Sequence, residues 1–118
     1  MTFFVNRLKS FGYAFKGFVC LFKETNAIIH LIAAVIVVVI SSILHISSSE
    51  WLWITLSICL VFMAESFNTA IEYLADEITS DRNKNIGRAK DLGAAATLMT
   101  AIFAVVVASI ILFPKLFS

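Results

Sequence analysis

From Thr25 to Ser49 the chain contains no Asp, Glu, Lys or Arg, and two further runs, Trp51 to Ala64 and Leu92 to Pro114, are also free of charge. In water such runs would have to be wrapped in polar surface. A chain of 118 residues with only 14% charged side chains has too little of it. A helix rises 1.5 Å per residue, so about 20 apolar residues cross the roughly 30 Å hydrocarbon layer of a bilayer. The chain therefore reads as an all-α membrane protein with transmembrane spans at 26–46, 51–73 and 91–113. Trp51 and Trp53 stand where interface anchors belong. Gly93, Ala94, Ala95 and Ala96 give the third span a small-residue surface for close helix contact, and Pro114 is expected to end that helix or to fall just outside it.

Ahead of the first span, Phe3, Phe4, Leu8, Phe11, Phe15 and Phe18 recur at helical spacing among Arg7, Lys9, Lys16 and Lys23. This is the pattern of an amphipathic surface helix over 3–23, lying in the membrane interface. Gly12 and Gly17 weaken it and suggest a bend, and the alternative is an irregular lead-in. Interspersed bases and aromatics, with no cleavage signal after the first long apolar run, do not make a signal peptide. The same mixture suits lipid attachment better than a phosphate-tracking surface, so no nucleic-acid partner is expected. Cys20 and Cys59 form neither a disulfide framework nor a metal-ligand spacing and read as packing residues. Basic residues orient the molecule: the amino-terminal segment carries four, the polar loop 76–90 carries Arg82, Lys84, Arg88 and Lys90, and the turn 45–50 carries none. The amino terminus and the 76–90 loop are thus expected in the cytoplasm, with the carboxyl terminus on the opposite side.

Polar residues inside such a chain stand out. Glu65 follows an uncharged run and is followed by Asn68, Glu72 and Asp76. At about 100° per residue, Glu72 and Asp76 lie roughly 20° to either side of Glu65 and Asn68 roughly 60° away, so the four share one helix face. Carboxylates at membrane depth face a bundle interior or a water-filled site and are read first as functional. The alternative, that this is the cytoplasmic exit of a span, explains Asp76 better than Glu65. Glu24, at the entrance of the first span beside Lys23, is explained by an interfacial ion pair or by a favourable charge at a helix start. His30 reads as a packing histidine without a partner cluster.

The third span opens with Gly87, Arg88, Ala89, Lys90 and Asp91. A helix start there would offer unpaired N–H groups beside two bases and would suit phosphate, whereas the plainer reading is a positively charged flank with Asp91 as a helix-start residue. No Walker motif is present. Bases opposite carboxylates at a membrane surface are the parts of magnesium-dependent phosphoryl transfer: carboxylates hold the cation, the cation and bases neutralise a triphosphate, and a further carboxylate accepts the proton of an attacking hydroxyl. A membrane-embedded base favours a lipid alcohol as acceptor. A reading of another class is a noncatalytic membrane subunit that uses the carboxylate face for assembly or transport.

The pattern E-S-F-N-T-A-I-E at 65–72, with G-R-A-K-D-L-G-A-A-A at 87–96 and G-Y-A-F-K-G at 12–17, closely resembles the small prokaryotic integral-membrane lipid kinases, the diacylglycerol kinase and undecaprenol kinase family. The likeness extends over nearly the whole chain. It implies a homotrimer of three-span subunits, each with an amino-terminal surface helix, sharing active sites between subunits in the bacterial inner membrane and using ATP and Mg2+. It makes Glu65 the general base, Glu24 and Glu72 the metal-binding carboxylates, and Asn68, Lys90 and Asp91, with Arg88, the polar groups around the phosphates. Where the family commonly has a Phe-Arg pair after the first glutamate, this chain reads Ala27 and Ile28, so contacts made by that pair are not carried over. The form G-R-A-K-D resembles the diacylglycerol branch more than the undecaprenol branch.

Overall fold

The structure, a computed structural model, describes residues 2–78 and 83–118. Four helices follow one another along the chain: α1 (Thr2–Leu21), α2 (Thr25–Ile43), α3 (Ser48–Ile78) and α4 (Lys84–Leu116). The last three are each long and apolar enough to cross a membrane. The four helices occupy a slab of 54 × 46 × 20 Å, in which α3 packs most extensively on α4, α2 leans on α3, and α1 touches the later turns of α3. With so few layers, large apolar side chains such as Ile29, Ile32, Val35, Leu98, Val105 and Ile110 remain exposed along α2 and α4. In lipid these positions cost nothing, because acyl chains are as apolar as leucine and helices associate through close packing.

The apolar core lies toward one end of the bundle, where Ile46, Ile54, Val107, Ile111 and Leu112 are buried together. The α2–α3 turn closes that end. His45 takes a left-handed conformation (φ 52°), which is uncommon outside glycine and lets Ile46 N–H return to the Ser41 carbonyl, as a helix-ending turn requires. Ser47 and Glu50 then form a reciprocal capping box: Glu50 N–H donates to Ser47 Oγ at 3.2 Å, and Ser47 N–H donates to Glu50 Oε1 at 2.9 Å. Lys115, in the last turn of α4, reaches Glu50 at 3.5 Å and fastens the two helices at this end.

At the other end the helices outrun their apolar segments. The stretch 76–90, expected as a loop, is helical wherever it is described except at Asn83: residues 76–78 finish α3 and residues 84–90 open α4. Arg82, one of the bases used for orientation, lies outside the described residues. Helix α4 begins at Lys84 because Asn83 caps it, its side-chain oxygen accepting from Asn85 N–H at 2.9 Å. It continues through Pro114 to Leu116, two residues beyond the expected stop. Helix α1 runs unbroken through Gly12 and Gly17 and buries only Leu21, so its row of phenylalanines finds no protein to pack on.

Candidate active site

Helix α3 carries most of the candidate site, and depth along it changes the environment of each polar residue. Glu65 is 3% exposed and Asn68 7%, whereas Glu72 and Asp76, one and two turns further on, are exposed as α3 leaves the bundle. The shared face expected from spacing is therefore a gradient from interior to surface. Asn68 links the two ends of it, its Nδ2 donating to Glu72 Oε1 at 3.4 Å. Its Oδ1 is buried without a partner and points at Gly93 of α4, where an added Cβ would overlap it and would come within 3.3 Å of Cγ. Close approach of α3 and α4 at this level thus depends on the missing side chain at position 93, a role the small-residue stripe hinted at without naming its target.

The buried carboxylate has a partner that sequence reading missed. His30 of α2 places Nε2 3.3 Å from Glu65 Oε1. The two residues lie on successive spans at similar depth from the ends facing Glu24 and Glu72, and that shared depth was the signal available. His30 also borders a cavity of about 250 Å³ between α2, α3 and α4 whose lining is otherwise apolar except for Ser57.

Glu24 sits in the corner between α1 and α2. It is the N-cap residue of α2 by backbone geometry (φ −82°, ψ 134°), yet its side chain makes no capping hydrogen bond. The helix-start explanation thus rests on its charge alone, without a capping hydrogen bond. Phe22 packs edge-on against Phe62 with ring centroids 5.6 Å apart, and Cys20 Sγ lies 3.6 Å from the Tyr73 hydroxyl. The Cys20–Tyr73 contact ties the corner bearing Glu24 to the turn of α3 that bears Glu72 and Tyr73, and the Phe22–Phe62 contact ties it to a turn of α3 deeper in the bundle.

The basic residues are differently placed from the expectation. Because α4 starts at Lys84, Arg88, Lys90 and Asp91 lie in its second turn, and the Gly87 N–H is already bonded to the Asn83 carbonyl at 2.8 Å. The supposed row of free N–H groups at 87–91 is absent, and any anion held there is held by side chains. Lys90 Nζ donates to Asp76 Oδ1 at 2.7 Å, a pair with 41% and 67% of its side chains exposed. Such exposed pairs contribute little and exchange readily for a better anion. Arg88 and Asp91 are exposed and form no ion pair among the described residues.

Among the described residues no three acidic, histidine or cysteine side chains gather into a metal cage. Oxygen donors from one or two carboxylates, completed by substrate phosphates, are however the usual means of holding Mg2+. The uncommitted Glu24 carboxylate and the exposed Glu72 fit that mode better than a closed all-protein site.

The sequence matches the prokaryotic diacylglycerol kinase family over residues 12–112. It is 36% identical over 115 residues to a diacylglycerol kinase of Synechocystis sp., an overlap covering 96% of this chain and 66% of that protein. A diacylglycerol kinase of Escherichia coli K12 is 34% identical over 112 residues, 94% of this chain and 92% of its own length. An undecaprenol kinase of Bacillus subtilis is 34% identical over 109 residues, 92% and 89% of the two chains. The match runs from Gly12 in α1 to Leu112 in α4 and takes in the glutamates, Asn68, Gly93 and the basic turn of α4, so the chain belongs to the prokaryotic diacylglycerol kinase family.

Proposed function

We propose that this protein transfers the γ-phosphoryl group of ATP to the primary hydroxyl of a membrane lipid, with diacylglycerol as the preferred acceptor and phosphatidic acid as the product. The observation that carries this reading is the buried Glu65, a carboxylate within a span of a lipid-kinase family member. Glu65 accepts the hydroxyl proton as the lipid oxygen attacks the γ-phosphorus. The bond from that phosphorus to the β-γ bridging oxygen breaks, and ADP leaves with the electron pair. Lys90, released from Asp76, and Arg88 meet the phosphates as side chains, while Asn68 and Asp91 order the polar surroundings. Glu24 and Glu72 would hold Mg2+, which when bound neutralises phosphate charge. The working unit is a homotrimer in the bacterial inner membrane with sites shared between subunits. Its amino terminus and site are cytoplasmic and its carboxyl terminus is on the other side.

Undecaprenol is the second acceptor to test, because the chain is as similar to the Bacillus subtilis undecaprenol kinase as to the Escherichia coli diacylglycerol kinase. Labelled ATP and magnesium are supplied with each lipid separately in mixed micelles, and wild type is compared with folded Glu65→Gln. Transfer to diacylglycerol that drops by about 10² or more in the variant is the expected result. Transfer to undecaprenol alone reassigns the acceptor, and a folded oligomer that phosphorylates neither lipid refutes the reading.

A further inference from the structure

We propose that His30 is a positioning residue for Glu65: it holds one carboxylate oxygen so that the other faces the acceptor hydroxyl, an inference that rests on Glu65 being the proton acceptor. Glu65 is almost wholly buried, and His30 is the only basic side chain within 4 Å of its carboxylate among the described residues. A buried carboxylate without a partner is costly, and one with a partner on a neighbouring helix is fixed in space. The terminal torsion of a glutamate is broad and roughly two-fold, so an unrestrained carboxylate presents either oxygen over a range of angles. A ring nitrogen 3.3 Å from Oε1 restricts that freedom. Proton transfer requires close and correctly angled approach, and misplacement of about 1 Å is enough to cost on the order of 10²-fold in rate.

Three features suit His30 to this task. Its side chain has only two torsions, so little freedom is lost in holding it. The cavity it borders offers its ring few competing polar groups, Ser57 being the other polar residue in the lining. The contact is also the one side-chain polar link between α2 and α3 among the described residues, so it sets the carboxylate relative to the helix that follows Glu24. The Nε2–H tautomer fits an acceptor at this position, and a glutamine amide nitrogen has a similar reach from the backbone.

The test uses the full-length protein as its native oligomer in micelles, comparing His30→Gln, His30→Leu and His30→Asn, each also combined with Glu65→Gln. Leucine keeps volume without a donor, and asparagine keeps a donor that falls short of Glu65. The expected order of kcat is wild type close to His30→Gln, then His30→Asn and His30→Leu about tenfold or more lower, with KM for ATP and lipid within about twofold. In the Glu65→Gln background the His30 substitutions should cause no further loss, because their target is gone. Full activity of His30→Leu overturns the inference, as does equal loss in all three variants or an undiminished effect in the Glu65→Gln background. If His30→Leu does not assemble, the order of His30→Gln above His30→Asn decides. Failure of the underlying reading looks different, since Glu65→Gln would then itself turn over like wild type.

Discussion

A methyl group at position 93 would take the space held by the Asn68 amide oxygen, so Gly93→Ala forces that amide to move and draws its Nδ2 away from Glu72. Activity should fall roughly tenfold or more while the oligomer persists, and parallel kcat and thermal-melting measurements on Gly93→Ala would check this. Loss of melting temperature without loss of kcat would show that Asn68 is only packing. Residues of this kind divide sharply in how visible they are before folding. Glu65, Asn68 and Glu72 announce themselves by helical spacing directly after one charge-free stretch. His30 does not, because its meaning lies in a contact with another span, and the axial register of two spans is written in neither alone. Gly93 was legible as a small residue but not as the seat of one particular amide.

At the level of helices, the existence of three spans follows from the absence of charge, whereas their ends follow from local hydrogen bonding that composition does not report. Asn83 starts α4 well before the apolar run at Leu92, moving Arg88 and Lys90 from a helix start into a second turn. The capping box of Ser47 and Glu50 fixes the start of α3. The Glu50 carboxyl, which precedes the apolar run at Trp51, is held below its ordinary 4.5, first by the Ser47 backbone N–H and further by the Ser47 hydroxyl and Lys115, against the opposing effect of desolvation. A folded-state value below the unfolded one means that its stabilisation is complete above the ordinary carboxylate pKa and fades as pH falls through the lowered value. Wild type should therefore melt above Glu50→Gln near neutral pH, and the two curves should converge on acidification below pH 4.5. A pH-independent difference in melting temperature would rule out this linkage.

Over the whole molecule, the single chain leaves most of α2 and α4 unburied, with only 11% and 17% of their most apolar stretches covered. Bilayer lipid can cover these faces, but Glu65, Arg88 and the Glu24 corner are drawn from different helices, and neighbouring subunits could complete what one slab leaves open. If sites are shared within a trimer, co-assembled Glu65→Gln and Lys90→Ala subunits should recover part of the activity that each lacks alone. Recovery that never exceeds the sum of the two inactive proteins would indicate that each chain works by itself.

Helix α3 has 31 residues and so extends about 46 Å, against roughly 30 Å of hydrocarbon. It behaves as a ruler longer than the sheet it pierces. Glu65 is fixed on that ruler about 21 Å from Trp51, while the hydroxyl of an acceptor lipid is fixed to the plane of the headgroups. If Glu65 is the base, where it meets that hydroxyl is a matter of vernier alignment between protein and bilayer, and membrane thickness becomes part of the geometry of the reaction.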